Sequence, residues 1–174
     1  MKRPERFEQA VLAHLDAAYN FARWLTQDDS GAEDAVQEAC LRAFRFFEGQ
    51  HGASPKAWFL TIVRNACLDW IKERRNRAHD EEYEDERHHA ADPRTESPEL
   101  ALVRASEARW LRACIAALPP DYREVLVLRE LEELAYKEIG AIVGIPLGTV
   151  MSRLSRARDL LQQRILAARA RKTS

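Results

Sequence analysis

A basic stretch near the end of the chain carries side chains suited to reading duplex DNA. Residues 134–161 read LAYKEIGAIVGIPLGTVMSRLSRARDLL. Short hydroxyl side chains around a central arginine can hydrogen-bond to base edges in a major groove, and flanking arginines can hold phosphates. On a helical wheel one face of this stretch carries Thr149, Ser152, Ser155 and Arg156, with Arg153 and Arg158 beside it.

The apolar residues of the same stretch predict the two helices that would position these groups. The apolar residues before Gly144 recur at helical spacing, and so do the apolar residues after Pro146. Gly144 can adopt the positive φ of a tight turn, and Pro146 fixes φ near the start of the second helix. The pattern predicts a helix-turn-helix that reads DNA. The alternative is an ordinary helical hairpin with a solvated basic face. The apolar residues are Ile139, Ile142, Val143, Val150, Leu154, Ala157 and Leu161.

Composition places the whole chain among soluble, all-helical proteins. Its 174 residues are 46% hydrophobic and 32% charged, and no segment shows sustained strand alternation. No apolar run approaches the ~20 residues of a membrane span, and MKRPERFEQ has no apolar signal core, so we expect a cytoplasmic protein. Cys40, Cys67 and Cys114 are odd in number and far apart, which favours buried thiols over a disulfide framework or a zinc site and leaves a redox role open.

Charge is sorted along the chain, and this favours a nucleic-acid partner despite a net charge of −1. Residues 1–77 carry 12 basic and 11 acidic side chains, residues 78–107 carry 3 and 10, and residues 108–174 carry 12 and 7. We predict two small helical domains, residues 1–77 and 98–174, joined by a flexible acidic linker over 78–97. The linker could compete electrostatically with DNA or serve solubility alone.

The helix predictions within these domains follow the apolar periodicity. In the first domain we expect helices over residues 4–26, 32–47 and 55–75, and in the second a helix from 98 to 118 before the helix-turn-helix. Asp121 with Glu124 predicts a capping box for a further helix. Each half has only about 70 residues, so each core is expected to be small. The residues expected in the first core are Phe7, Val11, Leu15, Ala18, Ala22, Leu25, Val36, Ala39, Cys40, Ala43, Phe44, Phe47, Phe59, Ile62, Val63, Ala66 and Trp70.

Two helix faces of the first domain do not fit a core. On the second helix, Leu41 lies within a polar stripe of Asp34, Gln37, Glu38, Arg42 and Arg45 and is a suitable centre for a protein interface. On the third helix an outward Trp58 with Thr61, Asn65, Asp69 and Lys72 suits unpaired nucleic acid, since aromatic rings stack on bases and cations hold phosphate. The alternative is that Trp58 folds back onto the first helix.

Three segments together closely resemble the extracytoplasmic function (ECF) group of bacterial RNA polymerase sigma factors. They are GAEDAVQEACLRAFRFF, SPKAWFLTIVRNACLDWIKERRNR and ALPPDYREVLVLRELEELAYKEIGAIVGIPLGTVMSRLSRARDLL. The resemblance covers nearly the whole chain apart from the acidic linker. It implies a non-enzymatic initiation factor with a region 2 domain and a region 4 domain. The sequence contains no phosphate-cradling glycine loop and no metal-ligand spacing, so we expect no cofactor and no metal.

The resemblance also implies partners and site residues. The partners would be the RNA polymerase core, through its β′ clamp helices and β flap, promoter DNA, and an anti-sigma factor. Asp34, Gln37, Glu38, Leu41 and Arg42 would bind the core enzyme. Trp58, Thr61, Arg64, Asn65 and Lys72 would capture the minus-10 strand. Thr149, Met151, Ser152, Arg153, Ser155, Arg156 and Arg158 would read the minus-35 element.

This sequence departs from the family pattern at two positions. Met151 stands where a polar or basic residue is usual, and Ala135 stands where a capping serine or threonine is common. Two other functions stay open at this point. One is a sigma mimic that occupies an anti-sigma factor, and the other is a homodimeric helix-turn-helix repressor.

Overall fold

The computed structural model describes residues 2–49, 54–79 and 98–172, and in these ranges the regular elements are helices without strands. The all-helical prediction is therefore confirmed. Two short 3-10 turns, Leu12–His14 and Phe47–Gly49, accompany the α-helices. The helices are α1 Arg3–Ala10, α2 Leu15–Thr26, α3 Asp29–Phe46, α4 Pro55–Ala78, α5 Pro98–Ala116, α6 Pro120–Glu130, α7 Tyr136–Val143 and α8 Leu147–Lys172.

The single helix predicted over residues 4–26 is wrong, because a 3-10 turn divides it into α1 and α2. Val11 is fully buried before the turn, and Phe21, which the sequence analysis did not select, is fully buried after it. Phe7 on α1 meets the rings of Phe44 and Phe47 edge-on, with centroids 5.4 and 5.6 Å away. Phe44 was expected in the core but is 53% exposed.

Helix α3 begins earlier than predicted because Asp28 caps it. Gln27 takes a left-handed conformation at φ 53°, and the Asp28 Oδ1 atom then accepts a hydrogen bond from the backbone N–H of Gly31 at 2.6 Å. The missing side chain of Gly31 leaves room for the indole of Trp70 on α4. Arg74 on α4 binds the other carboxylate oxygen of Asp28 at 2.7 Å. The start of α3 is thereby fixed against the end of α4.

Helix α4 begins as the sequence predicts and runs slightly further. The Ser54 hydroxyl caps it by accepting from Ala57 N–H at 3.2 Å, and Pro55 occupies the first helical position. The helix continues to Ala78. The acidic segment over residues 80–97, most of the predicted linker, lies outside the described residues.

The capping box predicted at Asp121 and Glu124 is wrong. Helix α6 starts one residue before Asp121, with Pro119 at the N-cap, and Glu124 has a different partner on α4. The preceding helix end is held by Arg123, whose guanidinium donates to the Ala116 carbonyl at 2.8 Å and the Leu118 carbonyl at 3.2 Å. Carbonyl groups at a helix end have no partner within the helix, so a buried arginine here stabilises the turn between α5 and α6.

The helix-turn-helix is confirmed in detail. Gly144 ends α7 in the left-handed conformation at φ 75°, and its N–H and that of Ile145 donate to the Gly140 carbonyl. Pro146 accepts the first backbone hydrogen bonds of α8. Ala135 provides no side-chain cap for α7, as predicted. Glu138 compensates because its carboxylate accepts from the Ala135 backbone N–H at 2.9 Å.

The two halves of the chain do not form separate small cores. Helix α4 packs against α7 and α2 packs against α6, so one buried apolar cluster runs through both halves. The buried members that the sequence analysis missed include Leu60 and Cys67 on α4, both with no exposed surface. A second, smaller cluster of Leu118, Leu126 and Ala157 holds α6 to α8. The side of α4 that was expected to face solvent is therefore partly covered.

Candidate nucleic-acid interface

The exposed face of α8 presents the predicted duplex-reading residues. Val150, Leu154 and Ala157 are fully buried beneath it, as the periodicity predicts, and they fix the rotation of the helix. Thr149 and Arg153 are half-buried at the edge of this face, and its other predicted members are exposed. The exposed members are Met151, Ser152, Ser155, Arg156 and Arg158. The helix can therefore present hydroxyl, thioether and guanidinium groups together.

Neighbouring groups on α6 and α7 position the arginines of α8. Arg158 contacts one Glu130 carboxylate oxygen through two nitrogens, at 2.9 and 3.2 Å. Hydrogen bonding to Glu130 and to Tyr136 raises the pKa of Arg158 above its ordinary value. Arg156 hydrogen-bonds to Tyr122, which likewise raises the pKa of Arg156. All these arginines remain cationic at neutral pH. The start of α6 and this part of α8 line one open groove.

The outward orientation predicted for Trp58 is wrong. The indole is half-buried against the core, and its ring meets Phe47 at a centroid distance of 6.2 Å. The alternative, in which Trp58 folds back onto the first helix, is closer to the structure, although its partner Phe47 is the last residue of the second predicted helix. Thr61 is also half-buried, and its hydroxyl donates to the Ala57 carbonyl at 2.9 Å. Packing against Phe47 covers part of Trp58, whereas the Thr61 hydroxyl is engaged by a hydrogen bond within α4.

Further along α4 the predicted strand-binding residues differ in accessibility. Asn65 and Lys72 are exposed. Arg64 is half-buried and forms two hydrogen bonds to the carboxylate of Glu124 on α6, at 2.9 and 3.2 Å. Asp69, predicted on the same face, pairs at 2.9 Å with Arg42 on α3. In the described structure Asn65 and Lys72 are therefore accessible to solvent, whereas Arg64 is paired with Glu124.

Sequence reasoning missed the polar contacts that join α4 to the C-terminal half. Lys56 donates to the Glu132 backbone carbonyl at 2.9 Å and lies 3.3 Å from the carboxylate of the same residue. Ser54 donates its hydroxyl to Glu138 at 2.9 Å. These partners are 76 and 84 residues apart in sequence, so no local pattern could indicate them. The sequence offers one weak signal, the acidic run of Glu130, Glu132 and Glu133 just before the helix-turn-helix.

The polar stripe on α3 is exposed around an apolar centre, as predicted. Leu41 is 56% exposed, and Asp34 and Gln37 are exposed beside it. Glu38 and Arg42 are half-buried and joined at 2.9 Å. Hydrogen bonds to Glu38 and Asp69 raise the pKa of Arg42 despite partial burial. The stripe is therefore a pre-ordered polar rim around one leucine.

The cysteines are free thiols in the described structure. Cys67 is fully buried, and desolvation raises its pKa to about 12. Cys40 and Cys114 are both half-buried. Desolvation also raises the pKa of Cys40. Among the described residues no group of His, Cys, Asp and Glu could hold a metal ion. No helix in the ranges described is long and apolar enough to cross a membrane.

Comparison with known proteins connects both surfaces to one family. A model of sigma-70 region 2 matches residues 10–77, and a model of sigma-70 region 4 matches residues 108–161. The chain is 35% identical over 159 residues to the ECF RNA polymerase sigma factor SigE of Mycolicibacterium smegmatis, covering 90% of this chain and 60% of that protein. It is 31% identical over 165 residues to the RNA polymerase sigma-H factor of Pseudomonas aeruginosa, covering 90% and 84%.

Solved structures agree with the sequence relatives. The sigma factor RpoE of Bartonella quintana, in a co-crystal structure with the anti-sigma factor NepR, matches with a TM-score of 0.76 and 29% identity. That match covers 91% of this chain and 96% of RpoE. CnrH, solved with the cytosolic domain of CnrY, shares the fold with a TM-score of 0.62 at 22% identity over 92% of this chain and 88% of that one. With these matches over both halves, the chain belongs to the ECF group of RNA polymerase sigma factors.

Proposed function

We propose that this chain binds the core of RNA polymerase in the cytoplasm and directs it to promoters, without catalysing a covalent reaction. Residues 98–174 would read the minus-35 duplex, and residues 1–77 would bind the core enzyme and capture the minus-10 strand, with 78–97 linking them. The observation that carries the proposal is the face of α8, where exposed hydroxyls and guanidinium groups lie over the buried Val150, Leu154 and Ala157. A solvated hairpin needs no such grouping.

The minus-35 site that we propose has base-reading and phosphate-binding parts. Arg156 is central and exposed, which suits a bidentate contact to guanine, whereas Arg158 and Arg153 at the flanks suit phosphates. Met151 is exposed on the same face and can contact the methyl group of thymine. The complete proposed set is Thr149, Met151, Ser152, Arg153, Ser155, Arg156 and Arg158.

The minus-10 site that we propose lies on α4. Asn65 can hydrogen-bond to the edge of an unpaired base, and Lys72, two turns further along, can hold a phosphate. Trp58 and Thr61 lie towards the start of the helix, where their partial burial favours a supporting role beneath the strand. Arg64 completes the set once its contact with Glu124 is released.

The core-binding site that we propose is the rim of α3 around Leu41. An apolar side chain ringed by both signs of charge is typical of a protein interface centre. Asp34, Gln37, Glu38 and Arg42 would supply the surrounding polar contacts to the β′ clamp helices, and the C-terminal half would contact the β flap. We also propose that a polypeptide anti-sigma factor regulates this chain, because RpoE was solved with one and aligns over 91% of the chain.

Replacing Asn65 tests the strand-capture role directly. Asn65→Ala should leave binding to duplex minus-35 DNA intact and reduce promoter opening, because the lost contact exists only with unpaired bases. On a template with a pre-melted bubble, affinity should fall by about 1–3 kcal/mol, roughly 5- to 150-fold. Permanganate reactivity of thymines in the non-template strand measures the opening.

Asn20→Ala on α2 is the matched control, since it removes an exposed amide from a different helix. The control should react like the wild-type protein. Wild-type thymine reactivity in the Asn65→Ala complex would refute strand capture by Asn65. A gel shift with and without core enzyme separates the remaining alternatives, because a repressor would bind duplex DNA tightly without polymerase and a mimic would bind it in neither case.

A further inference from the structure

One side chain on α6 contacts the central arginine of the α8 face, and the proposed function gives that side chain no role. Arg156 is exposed, and its guanidinium hydrogen-bonds to the Tyr122 hydroxyl. The two side chains line the same groove between the start of α6 and α8. The contact therefore joins the residue that we propose for base reading to a helix outside the recognition helix.

The ring of Tyr122 is anchored beneath this contact. It is half-buried and packs against the apolar cluster of Leu118, Leu126 and Ala157. At the start of α6 the Tyr122 backbone N–H donates to the Pro119 carbonyl at 3.0 Å. Backbone and ring are therefore both held, and a tyrosine has only two side-chain torsions to order. The hydroxyl is thus a fixed acceptor at the edge of the α8 face.

Such an acceptor lowers the cost of reading a base with Arg156. Arginine is long and flexible, and a side chain that is ordered before binding loses less freedom on binding. Its guanidinium carries five N–H donors in one plane. One N–H can stay on the Tyr122 hydroxyl while two others donate to O6 and N7 of a guanine. DNA therefore need not displace the tyrosine.

The flanking arginines of α8 have carboxylates beside them instead. Arg158 contacts Glu130 at 2.9 Å, and Arg153 lies 3.9 Å from Asp121. A phosphate would compete with these carboxylates for the guanidinium groups, because both are anionic acceptors. A tyrosine hydroxyl is uncharged, so Tyr122 can orient its arginine without opposing DNA. The type of partner therefore suits base reading at the centre of the face.

We propose that Tyr122 is a positioning residue for Arg156 and, through it, a determinant of minus-35 specificity outside the recognition helix. The proposal rests on the proposed function, which assigns α8 to the minus-35 duplex and Arg156 to base reading. Tyr122 contributes to affinity only where Arg156 meets its base. It should therefore have no effect on binding to unrelated sequences.

The test measures the specificity ratio of the full chain bound to core polymerase. The probes are a minus-35 duplex selected by the wild-type complex from a randomised library, and a scrambled duplex of equal composition. Tyr122→Phe removes the hydroxyl and keeps the ring on its apolar cluster. By fluorescence anisotropy it should weaken binding to the selected duplex by about 2- to 10-fold, as for the ordering of one long side chain. Binding to the scrambled duplex and Tm should remain as in the wild-type protein.

A double-mutant cycle with Arg156→Ala separates positioning from a general structural role. Once Arg156 is absent, Tyr122→Phe should cause no further loss of affinity for the selected duplex. Independent losses from the two substitutions would overturn the proposal, because Tyr122 would then act through another contact. Equal weakening by Tyr122→Phe on both duplexes would overturn it as well.

Tyr136→Phe is the matched control, because it removes a half-buried tyrosine hydroxyl that hydrogen-bonds to Arg158. Since Arg158 is proposed to hold a phosphate, its affinity loss should be equal on the two duplexes. A drop in specificity ratio as large as that of Tyr122→Phe would overturn the proposal.

The same assay distinguishes this proposal from the proposed function. A lowered specificity ratio in Arg156→Ala with a wild-type ratio in Tyr122→Phe would refute positioning and leave the proposed function intact. A wild-type ratio in Arg156→Ala would refute base reading by Arg156 and the positioning proposal with it.

Discussion

Asp28 fixes the start of α3 against the end of α4, and two substitutions can separate its two contacts. One carboxylate oxygen accepts from the Gly31 backbone N–H at 2.6 Å, and the other binds Arg74 at 2.7 Å. Asp28→Asn retains an oxygen that can cap the helix but removes the charge facing Arg74. Asp28→Ala removes both contacts. The difference between the variants therefore measures the cap.

The cap should contribute more than the ion pair. Replacing an aspartate N-cap by alanine costs about 1 kcal/mol, within a range of roughly 0.5–2. The Arg74 side chain is 40% exposed, so solvent screening limits the ion pair to about 0.5 kcal/mol. We expect a loss of about 0.5 kcal/mol in the free energy of unfolding for Asp28→Asn and about 1.5 kcal/mol for Asp28→Ala. At about 2–4 °C per kcal/mol, the second value lowers Tm by about 3–6 °C.

Thermal unfolding followed by circular dichroism as a function of pH measures these losses. Burial alone would raise the pKa of Asp28, but hydrogen bonds from Gly31 and Arg74 outweigh it and lower that pKa below its ordinary value. The stabilisation is therefore present above the unfolded pKa of about 3.9 and is lost as pH falls through the lower folded value. The Asp28→Ala deficit should shrink below about pH 4. Equal losses for both variants at pH 7 would refute the ranking of cap over ion pair.

Three further substitutions and one alkylation reaction test other parts of the chain. Leu41→Asp should abolish co-migration with core polymerase on a native gel while helix content stays unchanged, because Leu41 is exposed; loss of helix would instead make Leu41 a core residue. In DNA titrations, Arg156→Ala should weaken minus-35 binding by about 1–3 kcal/mol on the cognate site only. Arg158→Ala should weaken binding to cognate and scrambled sites alike. Equal losses of affinity on both sites from both variants would exclude base reading by Arg156. Cys67 should resist iodoacetamide at pH 8 in the folded chain, because burial raises its pKa to about 12; mass-spectrometric detection of the adduct without unfolding would contradict its burial.

The helix-turn-helix could be predicted from sequence because its determinants are local. A left-handed residue at Gly144, a proline after it and apolar residues at helical spacing all act within a few residues of one another. The same holds for the Ser54–Pro55 start of α4. The sequence also predicted that Ala135 gives α7 no side-chain cap. It did not predict that the Glu138 carboxylate accepts a hydrogen bond from the Ala135 backbone N–H.

Glu124 shows why the interface could not be predicted in the same way. Its spacing from Asp121 fits a capping box, and that local pattern gave the wrong assignment. In the folded chain its carboxylate binds Arg64, 60 residues earlier, and the helix starts without it. The predicted orientation of Trp58 was wrong for a related reason. Helical spacing says which residues share a face, but only tertiary packing decides whether Phe47 covers that face.

The two arginine–glutamate pairs next to the proposed DNA sites should differ in how readily they exchange for phosphate. Arg158 and Glu130 are about half exposed, so water and salt already screen their attraction and little is lost when Arg158 turns to DNA. Arg64 and Glu124 are 19% and 5% exposed, and separating them leaves a buried carboxylate without its partner unless the halves also part. Duplex recognition should therefore be available to the packed chain, whereas strand capture needs free energy from another contact. The contact with core polymerase that we propose at Leu41 does not use α4 and would supply that free energy, so docking at minus-35 should precede strand capture.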